Sequence, residues 1–373
     1  MAAPAPLAGL RILEIAGIGP GPFCGMMLAD HGAEVIRIER PNVGSLTERE
    51  RDPLLRSRRS LALDLKNPAA IGAVRRLAAT CDGLIEGFRP GVMERLGLGP
   101  DVLLAENPAL VYGRMTGWGQ TGPLAPEPGH DINYISISGT LHALGEAGSR
   151  PVPPINLAAD FGGGGMFLAF GMLAAILQAQ ATGTGQVVDC AMTEGSAVLM
   201  SMMWGFRAMG RWNEARGTNL LDGGAHFYDT YETADGKWLS VGAIEMPFYA
   251  ALREVMGLTD AEWDAQFAPA MWPRLKKELT RRFAERTRDD WVAAFAGHEA
   301  CVAPVLGFEE ALAHPHNIAR QSFVMVDGVT QPAPAPRYSV SGTVMPTMAG
   351  ASEGGAVLRE AGFDEEEIAA LGL

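Results

Sequence analysis

The chain opens on a tight succession of apolar and turn-forming segments. Leu10, Ile12, Leu13 and Ile15 form an apolar run, and Gly17, Gly19, Pro20, Gly21 and Pro22 form a turn. Residues 23–31 have the apolar spacing of a helix, and residues 34–38 are apolar again. Strand, turn, helix, strand is a βαβ unit. Short apolar runs at 83–85, 109–112 and 186–189 then alternate with helical patterns at 68–80 and 164–180. The alternation predicts an α/β fold, with a large Rossmann-like domain built on a mainly parallel, doubly wound sheet.

After residue 189 the texture changes. Residues 192–209 are apolar almost all round and carry Met192, Met200, Met202, Met203 and Met209, which predicts a buried helix or a helix at an interface. Segments 227–233 and 237–243 flank the turn pair Asp235 and Gly236 and predict a hairpin. Helical patterns follow at 248–256, 274–285 and 289–298, the last with Thr287 at a cap position. Pro332, Pro334 and Pro336 make a stretch too stiff and donor-poor for a helix, hence an extended connector, and residues 360–373 are expected to return to the first domain as a short helix. A chain of 373 residues exceeds what one core usually serves. The expected organisation is a large domain at 1–190 and 335–373, a linker helix at 191–225, a smaller α+β domain at 226–313 and a return linker at 314–334.

Charge narrows the choice of partner. The net charge of -13 argues against nucleic acid, but residues 1–120 carry 14 basic against 13 acidic side chains and the remainder 16 against 30. The first third is therefore the part suited to a polyanionic small ligand. The apolar stretch 166–177 is shorter than the roughly 20 residues of a membrane span, and no basic segment leads into an apolar one at the N-terminus. Neither a membrane helix nor a signal peptide is expected, and the location expected is cytoplasmic. Cys24, Cys81, Cys190 and Cys301 show no CxxC spacing and no histidine-rich neighbour, which disfavours disulfides and a zinc site and predicts reduced, buried thiols.

The turn at Gly17 and Gly19 invites a dinucleotide reading, and Glu39 falls where a ribose-binding acid would. Pro22, however, occupies the position of the third glycine. What survives is either a structural turn or a helix start whose backbone, at Gly19, lies near an anion or a carbonyl oxygen. Arg40, Lys66, Arg89 and Arg95 fall at or just past predicted strand ends, the edge where open parallel sheets bind ligands. A ligand with several phosphates needs such spread cations, although each one alone reads equally as a surface ion pair.

His130 stands between Gly129 and the run Asp131, Ile132, Asn133, Tyr134, downstream of a turn-dense loop at 116–123. Ionisable loop residues on a rigid sheet are where catalysis concentrates, whereas a lone histidine is more often structural. Asp160 runs into Gly162, Gly163, Gly164 and Gly165 and an apolar helix, so it either faces a ligand at that helix start or caps it. Glu245, just after the predicted hairpin, reads as a functional carboxylate or as part of a solvated turn.

Taken together, the turn at 17–22, Glu39 and Arg40, Asp64 to Lys66, Gly91 and Val92 with Arg95, the 116–123 loop, the 129–134 run and Asp160 with its glycines resemble the family III CoA transferases, the formyl-CoA-transferase-like proteins. Within them they look most like the alpha-methylacyl-CoA racemases, over nearly the whole chain. The resemblance implies a large and a small domain and an interlocked homodimer. It implies that CoA, as part of an acyl-CoA substrate and with no separate cofactor, is held by Arg40, Leu63, Asp64, Leu65, Lys66, Gly87, Phe88, Arg89, Arg95, Gly129, His130, Asp131, Ile132, Asn133 and Tyr134. It also implies a histidine base at His130, an acid at Asp160 and a glutamate beside the histidine at Glu245. In a transferase, Asp160 stands where the nucleophile belongs.

Inverting the α-carbon of a thioester takes a base on one face, a proton donor on the other and support for the enolate between them. An imidazole, with an unperturbed pKa of about 6.5, suits a group that both takes and gives a proton. An ordinary aspartate, near 3.9, does not, so desolvation is expected to lift Asp160 against the pull of the positive helix end. The enolate oxygen is expected to meet backbone N–H groups, among them the Asp131 amide.

Overall fold

The computed structural model describes residues 3–41, 48–350 and 353–373. The chain separates into two compact units, Met1–Ser138 with Ile155–Leu199 and Gln321–Leu373, and Gly139–Pro154 with Met200–Arg320.

The first unit is built on six parallel strands: β1 (Arg11–Ile15), β2 (Glu34–Glu39), β3 (Arg58–Ala62), β4 (Gly83–Glu86), β5 (Val111–Thr116) and β6 (Val187–Ala191). Their order, β3-β2-β1-β4-β5-β6, is that of a doubly wound sheet, whose ligand-binding crevice lies at the carboxyl ends of the strands. β1 sits at its centre, with Leu13 opposite Ile36 on one side and Leu84 on the other. Around the sheet run α1 (Pro20–Asp30), α2 (Pro68–Ala78), α3 (Val92–Arg95), α4 (Pro100–Glu106) and α5 (Asp131–Ile137). The chain then makes α6 (Thr140–Ala143) in the second unit and re-enters as a π-helix, Leu157–Met166, continued by α7 (Phe167–Thr182) and, after β6, by α8 (Met192–Leu199).

β3 did not stand out in the sequence because its first two residues are arginines, yet Arg58 is buried and ion-paired to the fully buried Glu14 of β1. The Leu157–Thr182 helix is 26 residues long, more than the 166–177 stretch measured by hydropathy, and by length and composition it is long and apolar enough to cross a membrane. In this fold one of its faces covers the sheet. The Met172 side chain lies where Cβ atoms at Gly83 and Gly113 would be, 2.6 Å from each, so those two strand glycines make room for it. The C-terminal segment forms two short helices, Gly354–Glu360 and Glu365–Ala370, and Val357, Leu358 and Ile368 complete the core with Leu61, Leu77 and Leu84.

The second unit contains an antiparallel sheet of β7 (Tyr228–Glu232), β8 (Trp238–Gly242) and β9 (Val302–Val305). Helices α10 (Met246–Met256), α11 (Trp272–Phe283) and α12 (Arg288–Phe295) pack on an aromatic core of Phe227, Tyr231, Trp263, Phe283 and Trp291. Four expectations are corrected. The methionine-rich 192–209 stretch is two helices, α8 and α9 (Ser201–Ala208), and α9 buries no residue of its own within the chain. Residues 139–154 belong to the second unit, because Arg216 donates to the carbonyls of His142 and Ser149 at 2.8 and 2.7 Å. The return linker holds a hairpin, β10 (Phe323–Val326) and β11 (Val329–Pro332), turned at Asp327 and Gly328, both with positive φ. Cys301, at a positive φ of 50°, is exposed rather than buried.

Candidate active site

A cavity of about 820 Å³ opens at the carboxyl edge of β1, β2 and β3. Ile15, Ile18, Ile38, Leu63, Leu65, Phe88 and Leu96 give it apolar walls, and Arg37, Arg40, Arg49 and Lys66 give it positive charge. Two of these cations are already committed. Arg37 donates to Glu39 at 3.0 Å and also reaches Glu14, while Arg49 donates to the other Glu39 oxygen at 2.7 Å. Glu39 therefore serves two arginines and is not free for a ribose, which removes the main support of the dinucleotide reading. Arg40 and Lys66 carry no ion pair among the described residues, and Asp64 shapes the turn between them by accepting from the Lys66 N–H at 3.1 Å.

The neighbouring loop after β4 is held from behind. Buried Glu86 accepts from the Phe88 N–H at 2.7 Å and from Arg114 at 3.0 Å, and Arg114 continues to Glu94 at 2.7 Å. Phe88 thereby turns into the cavity wall, while Gly87 and Arg89 are exposed on the loop and Arg95 is exposed at the end of α3. Arg37 and Arg58 act likewise on the first turn: Arg37 donates to the Gly17 carbonyl at 3.3 Å and Arg58 to the Pro22 carbonyl. They fix Gly19 at φ 67°, ψ -114°, a backbone shape that L side chains rarely adopt.

That fixed glycine faces Asp160. A Cβ at Gly19 would lie 3.1 Å from Asp160 Oδ2, an oxygen that also accepts from Asn156 Nδ2 at 2.7 Å. The sequence suggested an aspartate at the mouth of an α-helix beginning near Gly164. Instead Asp160 lies inside the π-helix, whose wide turn is closed by the Phe161 N–H on the Asn156 carbonyl at 3.3 Å. The four glycines serve packing: a Cβ at Gly163 would meet the Ser196 nitrogen at 2.5 Å, and one at Gly195 would meet the Gly163 oxygen at 1.8 Å. Burial raises the Asp160 carboxyl above its ordinary value, the Asn156 donor opposes this, the charge of Asp131 adds to it and that of His130 opposes it.

His130 is the N-cap residue of α5, with its N–H on Asn133 Oδ1 at 3.1 Å and its carbonyl accepting from the Asn133 N–H at 2.8 Å. The carbonyl before it, on Gly129, accepts from the Tyr134 hydroxyl. The Tyr134 ring is buried in a slot. A Cβ at Gly117 would lie 2.0 Å from it and one at Gly129 2.6 Å, and Trp118 meets it edge-on at 4.8 Å between centroids. Gly117 is itself pinned, its carbonyl accepting from Thr193 Oγ1 at 2.7 Å. The Asp131 side chain turns inward, where Oδ2 accepts from the Ala159 and Asp160 N–H groups at 2.8 and 2.9 Å. His130 and Asp160 are thus joined through Asp131, within electrostatic reach of each other.

Of the residues singled out in the sequence, Arg40, Leu63, Asp64, Leu65, Lys66 and Phe88 line the cavity, and Gly19, His130, Asp131, Tyr134 and Asp160 gather beside one another. Ile132 and Asn133 lie on the first turn of α5, and Asn133 is spent on capping it. Glu245 belongs to the second unit, where it is exposed at the N-cap of α10 and adds to the burial that raises the Cys301 thiol. Sequence reading missed Asn156, whose four-residue spacing from Asp160 was the available signal, and the structural arginines Arg37, Arg49 and Arg58.

The fold and this geometry define a doubly wound α/β protein with a cavity of about 820 Å³ at its sheet edge and, beside it, a half-buried carboxyl within electrostatic reach of an exposed histidine. The family model described as CoA-transferase family III matches residues 7–351, and the chain belongs to that family. It is 48% identical over 372 residues to a Mus musculus protein named alpha-methylacyl-CoA racemase, covering 98% of this chain and 96% of that one. It is 45% identical over 368 residues to a Homo sapiens protein of the same name, covering 97% and 95%. A crystal structure of a CAIB/BAIF family protein from Brucella suis superposes with a TM-score of 0.83 at 25% identity, covering 96% of this chain and all of the other.

Proposed function

We propose that the chain is a racemase that inverts the α-carbon of 2-methylacyl-CoA thioesters, the activity named in two relatives that match nearly its full length. The observation that carries the chemistry is the Asp131 bridge, which sets the segment of His130 against that of Asp160. The imidazole takes the α-proton from one face. Negative charge then moves onto the thioester oxygen, where the Asp131 and Ile132 N–H groups, free of intrahelical partners at the first turn of α5, stabilise it. The Asp160 carboxyl, lifted by burial so that it holds a proton more readily than an ordinary aspartate, delivers that proton to the opposite face. With the other stereoisomer the two roles exchange.

The nucleotide end of the acyl-CoA takes the cavity, with Arg40 and Lys66 at its phosphates and Arg89 and Arg95 on the adjoining loop. The protein works as an interlocked homodimer in the cytoplasm without a separate cofactor. In the transferase alternative an ionised Asp160 attacks the thioester. A carboxyl that burial holds toward its acid form is a poor nucleophile, which favours the racemase.

Each stereoisomer of a 2-methylacyl-CoA, incubated in deuterated water, is expected to take up deuterium at the α-carbon and to invert. His130→Ala and Asp160→Ala should each abolish inversion while leaving exchange of the one stereoisomer whose α-proton faces the remaining group. Transfer of CoA to a free carboxylate, with an aspartyl adduct trapped by hydroxylamine and no deuterium uptake, would overturn the reading.

A further inference from the structure

The proton transfer above uses the backbone N–H of Asp131 and asks of its side chain only that it join the two segments. That side chain is nonetheless placed with care: the residue is 3% exposed, and one of its oxygens takes two N–H groups from the first turn of the helix that carries Asp160. The start of a helix ordinarily favours an anion, because its first N–H groups lack intrahelical partners and point outward. A π-helix leaves one more of them, since its bonds span five residues. An aspartate four residues into such a helix is ordinarily held ionised. This reaction needs the opposite.

We propose, on the racemase reading, that Asp131 is a positioning residue that keeps Asp160 in its acid form: its carboxylate takes the two backbone donors that favour an Asp160 anion and sets a like charge beside it. The geometry separates two carboxyls by task. Asp131 has two charge-assisted backbone bonds. Asp160 has one side-chain donor, Asn156, and a negative neighbour, so ionising it places two charges side by side. The direction of the Asp160 shift, upward with burial first and the Asp131 charge contributing, agrees.

The other elements packed on the π-helix supply little to reverse this. From α5, His130 opposes the shift, and Tyr134 has a phenol raised by burial and by Asp160 itself, with Arg89 opposing. The turn before α1 presents the backbone of Gly19, and α1 stacks Phe23 on Phe161 at 5.1 Å. α7 has no ionisable side chain, α8 approaches through Gly195 and Ser196 with Glu194 exposed, β5 offers Arg114 already paired with Glu86 and Glu94, and β6 offers Asp189 and the Cys190 thiol.

The test is a titration of the full-length protein labelled with 13C at the aspartate carboxyls, the Asp160 signal being identified by its loss in Asp160→Asn. Asp131→Asn keeps an acceptor for the two N–H groups and removes the charge. It should lower the Asp160 midpoint by about one pH unit, roughly tenfold less acid form at a given pH. Asp131→Ser removes the same charge with a shorter acceptor and should move the midpoint in the same direction, which covers the case that the asparagine variant does not fold. An unchanged midpoint in either folded variant overturns the proposal. The titration requires no turnover, so it stands apart from the racemase reading, which falls instead if the wild type takes up no deuterium. In the active enzyme, the pH profile for the stereoisomer protonated by Asp160 should move down with the midpoint while KM stays level, a pattern that loss of a helix cap alone does not produce.

Discussion

Tyr134→Phe removes one atom from the support of His130. The hydroxyl donates to the Gly129 carbonyl, and burial raises the phenol, so it remains a neutral donor throughout the working range. The phenylalanine ring refills the slot between Gly117, Gly129 and Trp118, so the packing survives and the Gly129 oxygen loses its partner. Gly129 is partly buried, so losing this bond costs about 0.5–1.5 kcal/mol. In a unit of this size that is a fall in melting temperature of about 2–4 °C per kcal/mol. The catalytic loss has a different origin. Gly129 precedes His130 directly, and its release leaves the histidine backbone tied through Asn133 and the backbone N–H of residue 134. A displacement approaching 1 Å costs up to ~10²-fold in rate, so a loss of about tenfold in kcat is expected, with KM for acyl-CoA nearly level because Arg40 and Lys66 are untouched. The assay is α-deuterium uptake from each stereoisomer separately. The stereoisomer that His130 deprotonates should lose exchange while the other, served by Asp160, largely keeps it. Equal loss from both, or no loss from either, refutes the role given to the hydroxyl.

Three further outcomes follow from the same geometry. Gly195→Ala puts a methyl 1.8 Å from the Gly163 carbonyl, a backbone atom that no rotamer change can move, so the α8 contact with the π-helix opens at a cost of about 1–3 kcal/mol, read as a lower thermal midpoint together with lower activity. His226 is fully buried against Phe227, Tyr249 and Trp263, and burial pushes its imidazole down from 6.5 to about 4. The unfolded chain therefore binds this proton first. Its contribution is fully present above pH 6.5 and is lost as pH falls toward 4, up to about 3 kcal/mol in total; urea midpoints at pH 7 and 5 should differ less in His226→Gln than in the wild type. Finally, Arg40 and Lys66 face the cavity without ion-pair partners among the described residues, so KM for acyl-CoA should climb between 0.05 and 0.3 M salt, roughly the range over which the Debye length shrinks below 10 Å, and Arg40→Ala should flatten that climb.

Much of the fold was legible because the central strands are buried on both faces and therefore read as apolar runs; β1, β2 and β4 are almost wholly inaccessible along their length. β3 was not, since buried arginines look like surface to any hydropathy pattern. The hairpin at Phe323–Pro332 is masked for a nearer reason: its Asp327-Gly328 turn has the same chemistry as the pair at Asp235-Gly236, but the prolines that follow give the segment the pattern of an extended connector. His130 and Asp160 were legible as types in context. What brings them together was not, because the Asp131 bonds join residues 28 and 29 positions apart and no spacing rule spans that distance.

The arginines of the first third show why composition carried more information than its near-neutral balance suggests. Of the 14 basic residues there, Arg11, Arg37, Arg49, Arg51, Arg56, Arg58, Arg59, Arg75, Arg76 and Arg114 are ion-paired, several of them in the interior. Among the described residues the remainder is Arg40, Lys66 and Arg89, just past strand ends, and Arg95 at the end of α3. Pairing commits the other ten cations to acidic partners, and of the remaining four Arg40 and Lys66 line the cavity at the edge where a doubly wound sheet receives its ligand, with Asp64 beside them. The paired arginines are part of the same design: Arg37 and Arg58 hold the carbonyls of Gly17 and Pro22, that turn fixes Gly19, and Gly19 bounds the space in front of Asp160. Removing one partner of such a buried pair costs about 3–5 kcal/mol, so a change at Glu14, Arg37 or Arg58 should unsettle the turn that places Gly19 against Asp160.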